Sequence, residues 1–168
     1  MIKNIVIEGP NNVGKSTLIS KLLDLPEFQD WRTEHVTENS PNTFEFYDAT
    51  LRNCENVIFD RHCIGETIYP LLFNREQNIT MKQVEDLVNE YSETLFVILS
   101  ADLDFINAAY DAKCETPNWY FVTEEREMFE DAARILVRFD NVHFHRNIYG
   151  VETTDDFTSV IVTLCREE

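Results

Sequence analysis

Short apolar, β-branched runs alternate along this chain with stretches where apolar residues return every three or four positions. The first run, Ile2-Lys3-Asn4-Ile5-Val6-Ile7, has the character of a buried parallel strand. Residues 16–23 follow with an apolar stripe at helical spacing. Residues 31–37 predict a second strand, and residues 43–52 a helix with Phe44, Tyr47 and Leu51 on one side. Val57-Ile58-Phe59 predicts a short buried strand that ends at Asp60. Thr80-Met81-Lys82-Gln83 has the spacing of a capping box, opening a helix with Met81, Val84, Leu87, Val88 and Tyr91 on one face. A fourth strand is expected over 94–99 and helical spacing over 102–112. A stronger stripe runs over 123–139, made by Phe129, Ala132, Ala133, Leu136 and Val137. Val142-His143-Phe144 predicts a fifth strand, and Phe157, Val160, Ile161 and Leu164 mark a closing helix. Strands separated by helices imply right-handed crossovers and a parallel sheet covered on both faces. Ligands of such sheets bind at the carboxyl ends of the strands. Gly9, Glu38 and Asp60 all follow predicted strands and are therefore expected around one cleft.

The segment between the first strand and first helix is the most informative. Gly9-Pro10-Asn11-Asn12-Val13-Gly14-Lys15-Ser16 fits the pattern G-x-x-x-x-G-K-[ST] in the strand–loop–helix context that the pattern needs. Glycines let the backbone turn its N–H groups toward an anion, and the helix N-terminus adds partial positive charge. Gly9, Asn11, Asn12, Val13, Gly14, Lys15, Ser16 and Thr17 thus form the expected nucleotide-binding loop. Lys15 is expected at the β- and γ-phosphates of ATP, and the Ser16 hydroxyl on Mg²⁺. Asp60, at a strand end, is the candidate for a second Mg²⁺ ligand, direct or through water. Arg61 beside it offers a planar fork to phosphate oxygens. A plain Asp–Arg turn cap is the alternative.

Composition changes the picture in two places. The 168 residues carry a net charge of −17, which repels polyanions and argues against an extended nucleic-acid surface, though not against a small phosphate pocket. Cys54, Cys63, Cys114 and Cys165 have no C-x-x-C or zinc-like spacing and read as reduced thiols. No linker or repeat divides the chain, so one domain over 1–168 is expected. With no apolar run of membrane length and a strand starting at residue two, the expectation is a soluble cytoplasmic protein without a signal peptide or membrane partner. His35, His143 and His145 show no ligand pattern, so no protein-only metal site is expected.

Ile7-Glu8-Gly9, Gly14-Lys15-Ser16-Thr17 and Asp60-Arg61 together resemble thymidylate kinase and its deoxynucleoside kinase relatives. The string from Asp60 through Gly65-Glu66-Thr67 to Tyr69-Pro70 resembles small phage-encoded members, for which the setting would be the host cytoplasm. The resemblance implies an α/β P-loop NTPase fold of the nucleoside monophosphate kinase type, with a five-stranded parallel sheet flanked by helices. It also implies an arginine-bearing lid over 107–122, and relatives of this kind are often homodimers. The activity implied is transfer of the ATP γ-phosphoryl group to a deoxynucleoside monophosphate, pyrimidine and thymidylate-like.

Three departures bear on that reading. Asn11 and Asn12 stand where the family has Asp and Gly. Thr37-Glu38-Asn39-Ser40-Pro41 lacks the arginine that such kinases place after the second strand. The lid region up to Tyr120 holds only Lys113, leaving Arg126 and Arg134 on the following helix as substitutes. Glu38 could serve as general base if the acceptor were a hydroxyl, on a deoxynucleoside or a hydroxymethyl-pyrimidine in DNA; a solvated loop glutamate is the plain alternative. Glu8 could order the Mg²⁺ water shell or the acceptor. Phe44 and Tyr69 are candidates for stacking on a base, although aromatics on helix faces more often pack in the core. A nucleotide-binding regulator without turnover is the third reading.

Overall fold

The computed structural model describes residues 1–151 and 154–166, with no side-chain description for Thr154. Five strands form one wholly parallel sheet: β1 (Asn4–Glu8), β2 (Arg32–His35), β3 (Val57–Asp60), β4 (Thr94–Ala101) and β5 (Val142–Asn147), in the order β2-β3-β1-β4-β5. Each side of β1 is paired over nearly its whole length, Ile5 with Ile58 on β3 and Ile5 with Leu95 on β4. All five residues of β1 and all eight of β4 are buried, which explains their unbroken apolar runs.

Helices cover both faces. On one side α2 (Phe44–Asn53), α4 (Met81–Glu90) and most of α6 (Trp119–Leu136) bury Tyr47, Leu51, Val84, Leu87, Phe129 and Leu136 against Val6, Phe59, Phe96 and Ile98. On the other, α1 (Lys15–Leu23), α5 (Leu103–Ala112) and α7 (Thr154–Arg166) bury Leu18, Leu22, Ile106, Phe157 and Ile161 against Ile5, Ile7, Val97 and Leu99. The Thr80 capping box forms in full, its hydroxyl accepting from the Gln83 N–H while the Gln83 side chain accepts from the Thr80 N–H. Thr43 caps α2 by accepting from the Phe46 N–H, and Asp102 caps α5 by accepting from the Phe105 N–H.

Several boundaries differ from the sequence reading. β2 is shorter than 31–37, and its four residues are mostly exposed, as an edge strand allows. β5 runs on to Asn147 because it pairs with β4 as far as Ala101. The long helix begins at Trp119 under an Asn118 cap and ends at Leu136, so Val137 is exposed rather than part of the stripe. Val160 is also exposed, facing away from the buried Phe157 and Ile161. A short helix, α3 (Tyr69–Leu72), was not predicted, because four residues show no period. The expected lid resolves into the end of α5, the connection 113–118 and the start of α6. Among the described residues, no helix is long and apolar enough to cross a membrane.

Candidate active site

The sheet ends its three central strands at one edge, and the candidate groups gather there. Gly9 leaves β1 with φ 145°, and a Cβ on it would lie 2.3 Å from the Leu99 carbonyl oxygen of β4. Only glycine fits between the two strands. Gly14 caps α1 with φ 96°, a left-handed conformation that lets the helix start abruptly beneath the loop. Asn147 at the end of β5 donates from Nδ2 to the Val13 carbonyl at 2.7 Å, bracing the loop from the side.

Lys15 is buried and folds back on its own loop, donating from Nζ to the carbonyls of Gly9 at 2.9 Å and Pro10 at 2.6 Å. Burial, followed by the nearby charge of Arg61, lowers its pKa from 10.5 to about 8. Ser16 is exposed, and it lines with Asp60, Asn12 and Lys113 a pocket of ≈ 480 Å³ in front of the loop. Lys113 reaches the loop from the end of α5, donating to Asn12 Oδ1 at 2.5 Å. Asp60 Oδ2 lies 3.3 Å from His35 Nδ1, while its Oδ1 is buried with no hydrogen-bond partner among the described residues. A carboxylate oxygen without a donor, lining one pocket with the exposed Ser16, fits a hydrated Mg²⁺ carried in with a nucleotide. Among the described residues no three His, Cys, Asp or Glu gather in a way that would hold a metal alone.

Glu8 is engaged by the backbone beside the loop. It is wholly buried, and its Oε1 accepts from the backbone N–H groups of His62 (2.9 Å), Ile64 (2.8 Å) and Gly65 (3.3 Å). Its Oε1 therefore holds the turn after β3, while its Oε2 is buried without a hydrogen-bond partner among the described residues. Desolvation raises its pKa, and the charge of Arg61 pulls the other way. Arg61, released from that turn with φ 72°, is strained for a non-glycine residue. Its guanidinium donates to Asn11 Oδ1 at 2.7 Å and to the Tyr69 hydroxyl, and it lies 5.0 Å from the centre of the Tyr69 ring.

Glu125 closes this network, and sequence reasoning missed it. Its Oε1 accepts from the Tyr69 hydroxyl (2.8 Å), Asn11 Nδ2 (3.0 Å) and the Asn11 N–H (3.3 Å). Burial raises its pKa, opposed first by the Tyr69 hydrogen bond. One carboxylate on α6 thus ties the loop to the residues that hold Arg61. The signal was present in the sequence: Glu125 stands four residues before Phe129 and on its apolar stripe. Asn11, a departure from the resembled family, serves as donor to Glu125 and acceptor for Arg61, which a carboxylate could not do.

A second pocket of ≈ 300 Å³ opens beyond Arg61, lined by Glu38, Glu66, Tyr69, Phe73 and Arg75. It shares Asn11, His35 and Arg61 with the pocket at the loop, so the two form one cleft. Glu38 is exposed on its wall, with Oε2 3.3 Å from Arg75 Nη1. His62 is a local group: it is buried between Tyr47 and Phe59, meets Thr50 Oγ1 at 2.8 Å, and falls to a pKa of about 3 through desolvation. Two further candidates lie outside both pockets. Phe44 packs against the core beside Tyr47 and lines neither pocket. Arg126 lines neither pocket, and its Nε lies 4.0 Å from Glu130 Oε1 on its own helix.

The fold is an α/β P-loop fold of the nucleotide-kinase type, with the loop at its usual place after β1. No protein-family description matches the chain, and no curated protein matches it in sequence. Among solved structures it is similar to YorR from Bacillus subtilis in complex with phosphorylated GDP, with a TM-score of 0.78, 19% identity, and coverage of 96% of this chain and 94% of that one. It is also similar to thymidylate kinase from Candida albicans (TM-score 0.60, 16% identity, 97% and 90% covered). Deoxyadenosine kinase from M. mycoides with bound dCTP is a third (TM-score 0.57, 13% identity, 96% and 98% covered).

Proposed function

We propose that this protein transfers the γ-phosphoryl group of Mg²⁺–ATP to a deoxynucleoside monophosphate. The observation that carries this reading is the single cleft in which Arg61 belongs to both cavities. The donor lies along the loop, with Lys15 on its terminal phosphates and Ser16 and Asp60 facing the magnesium. The acceptor enters the second pocket with its phosphate against Arg61. Catalysis is then positioning and charge neutralisation, as phosphoryl transfer requires. Lys113, already on the loop, is the cation best placed to close over the donor phosphates.

A hydroxyl acceptor is favoured less. Glu38 is exposed and paired with Arg75, so it lacks the free, desolvated carboxylate of a tuned base. ADP release scanned across deoxynucleosides and their monophosphates tests the choice. Acceleration by a monophosphate, with Glu38→Gln near wild-type turnover, is expected. A response to nucleosides alone, lost by two orders of magnitude in Glu38→Gln, would transfer the assignment to a hydroxyl kinase.

Lys15 supplies a pH test. Unfolded, it holds its proton up to 10.5; in the free folded protein it releases it from about 8. Its contribution to folding stability therefore rises with pH between those values, because the unfolded state binds more protons there. A bound triphosphate restores the charge, so ATP affinity is expected to fall across the same window, approaching about tenfold per pH unit. Calorimetry in buffers of different ionisation enthalpy should show uptake of close to one proton at pH 9. A flat pH profile would mean that Lys15 does not meet the phosphates.

A further inference from the structure

Resting on the kinase reading of this cleft, we infer that Glu125 is a positioning residue of the transfer: through Asn11 and Tyr69 it aims the Arg61 guanidinium before substrate arrives. The four side chains close a ring. Arg61 donates from Nη2 to Asn11 Oδ1 at 2.7 Å and from Nη1 to the Tyr69 hydroxyl. Asn11 Nδ2 and the Tyr69 hydroxyl in turn donate to Glu125 Oε1, at 3.0 Å and 2.8 Å. The Asn11 backbone N–H adds a third bond to the same oxygen at 3.3 Å. The loop, α3 and α6 are thereby joined at one point.

The donor inventory fixes the direction of every bond in the ring. A carboxylate oxygen with three donors converging on it accepts, and a guanidinium only donates, whereas a phenol and an amide can do either. Because Glu125 takes the Tyr69 proton, the phenol presents a lone pair to Arg61. Because it takes the Asn11 amide N–H, the amide oxygen faces Arg61. Without Glu125 the phenol is free to turn and the amide to flip, setting an N–H against a group that cannot accept. Packing alone does not account for a carboxylate here. Glu125 is 1% exposed on the apolar stripe of α6, where an aliphatic side chain would be buried without desolvating a charge. Burial opposes its charge, and the bonds from Tyr69 and Asn11, then Lys15 and Arg61, support it.

Geometry and turnover can be read separately. A guanidinium held at both terminal nitrogens rotates slowly, so its Nη protons should stand apart in ¹⁵N–¹H NMR spectra of the ligand-free protein. Arg61→Lys gives the assignment. Glu125→Ala is expected to erase that signature and to lower kcat about 10²-fold, the effect of a small misplacement, with a smaller change in either KM. Turnover is read as ADP release with Mg²⁺–ATP and whichever of dAMP, dCMP, dGMP and dTMP accelerates it most. Glu125→Gln keeps the accepting oxygen and is expected to recover most of both losses. Asn11→Asp sets a second carboxylate against Glu125 and should lower kcat by a similar factor. Adding Glu125→Gln to that chain returns a donor to the pair and should recover it. Circular dichroism melts check each variant, and if Glu125→Ala does not fold, the Asn11→Asp pair decides. Lower thermal stability with kcat and the guanidinium signals unchanged would overturn the inference, as would Glu125→Gln no better than Glu125→Ala. An altered guanidinium in Glu125→Ala, with no acceptor-dependent ADP release in wild type, would uphold the positioning and remove the kinase reading. Turnover indifferent to Glu125 would do the reverse.

Discussion

Lys15→Ala is expected to lower kcat by about 10³-fold or more, as removal of a desolvated charge from a phosphoryl-transfer site does. The fold should survive. Lys15 is 8% exposed and carries its charge where burial already disfavours it. Its hydrogen bonds to the carbonyls of the buried Gly9 and Pro10 are lost, and relief from burying a charge offsets that loss. Thermal unfolding within a few degrees of wild type, together with lost ADP release, is the expected pair of results. Turnover within tenfold of wild type would remove Lys15 from the phosphates, and with it the donor site. A variant that fails to fold would instead show that the lysine latch holds the loop.

Glu8→Ala should be the most destabilising change at the site. Three backbone amides converge on one oxygen in a fully buried position, and each left without an acceptor costs about 1–3 kcal/mol. A loss of several kcal/mol would follow, readable as a large drop in the denaturant midpoint. Glu8→Gln keeps the accepting oxygen and is expected to recover most of the stability. Because the amides belong to His62, Ile64 and Gly65, Arg61 would also lose its strained geometry, and activity should fall further than Glu8→Gln alone explains. Equal stability of the Ala and Gln variants would show that the carboxylate does not organise this turn.

Periodicity and motif made much of this architecture legible. The five strands, the loop and the Thr80 capping box follow from local patterns, because each is a short-range property of the chain. The Lys15, Ser16 and Asp60 placements follow for the same reason. Glu125, Glu66 and Arg75 were harder to read. Glu125 meets Asn11 across 114 residues, and Arg75 meets Glu38 across 37, so no local spacing reveals either pairing. The arginine missing after β2 illustrates the point: Arg75 faces the β2 loop from a turn far along the chain. Phe44 and Arg126 line neither pocket, because a position on the right helix does not fix which way its side chain turns. Glu8 was expected near the chemistry for its strand-end position, but complete burial gave it to the backbone instead.

Arg61 stands between the two cavities, held by Asn11 of the loop and Tyr69 of the acceptor wall, with Glu125 joined to both. A ligand in either cavity meets Arg61 and Asn11, which line both. Where a ligand in one cavity shifts these bonds, thermodynamic reciprocity makes the ligand of the other cavity change its affinity by the same factor.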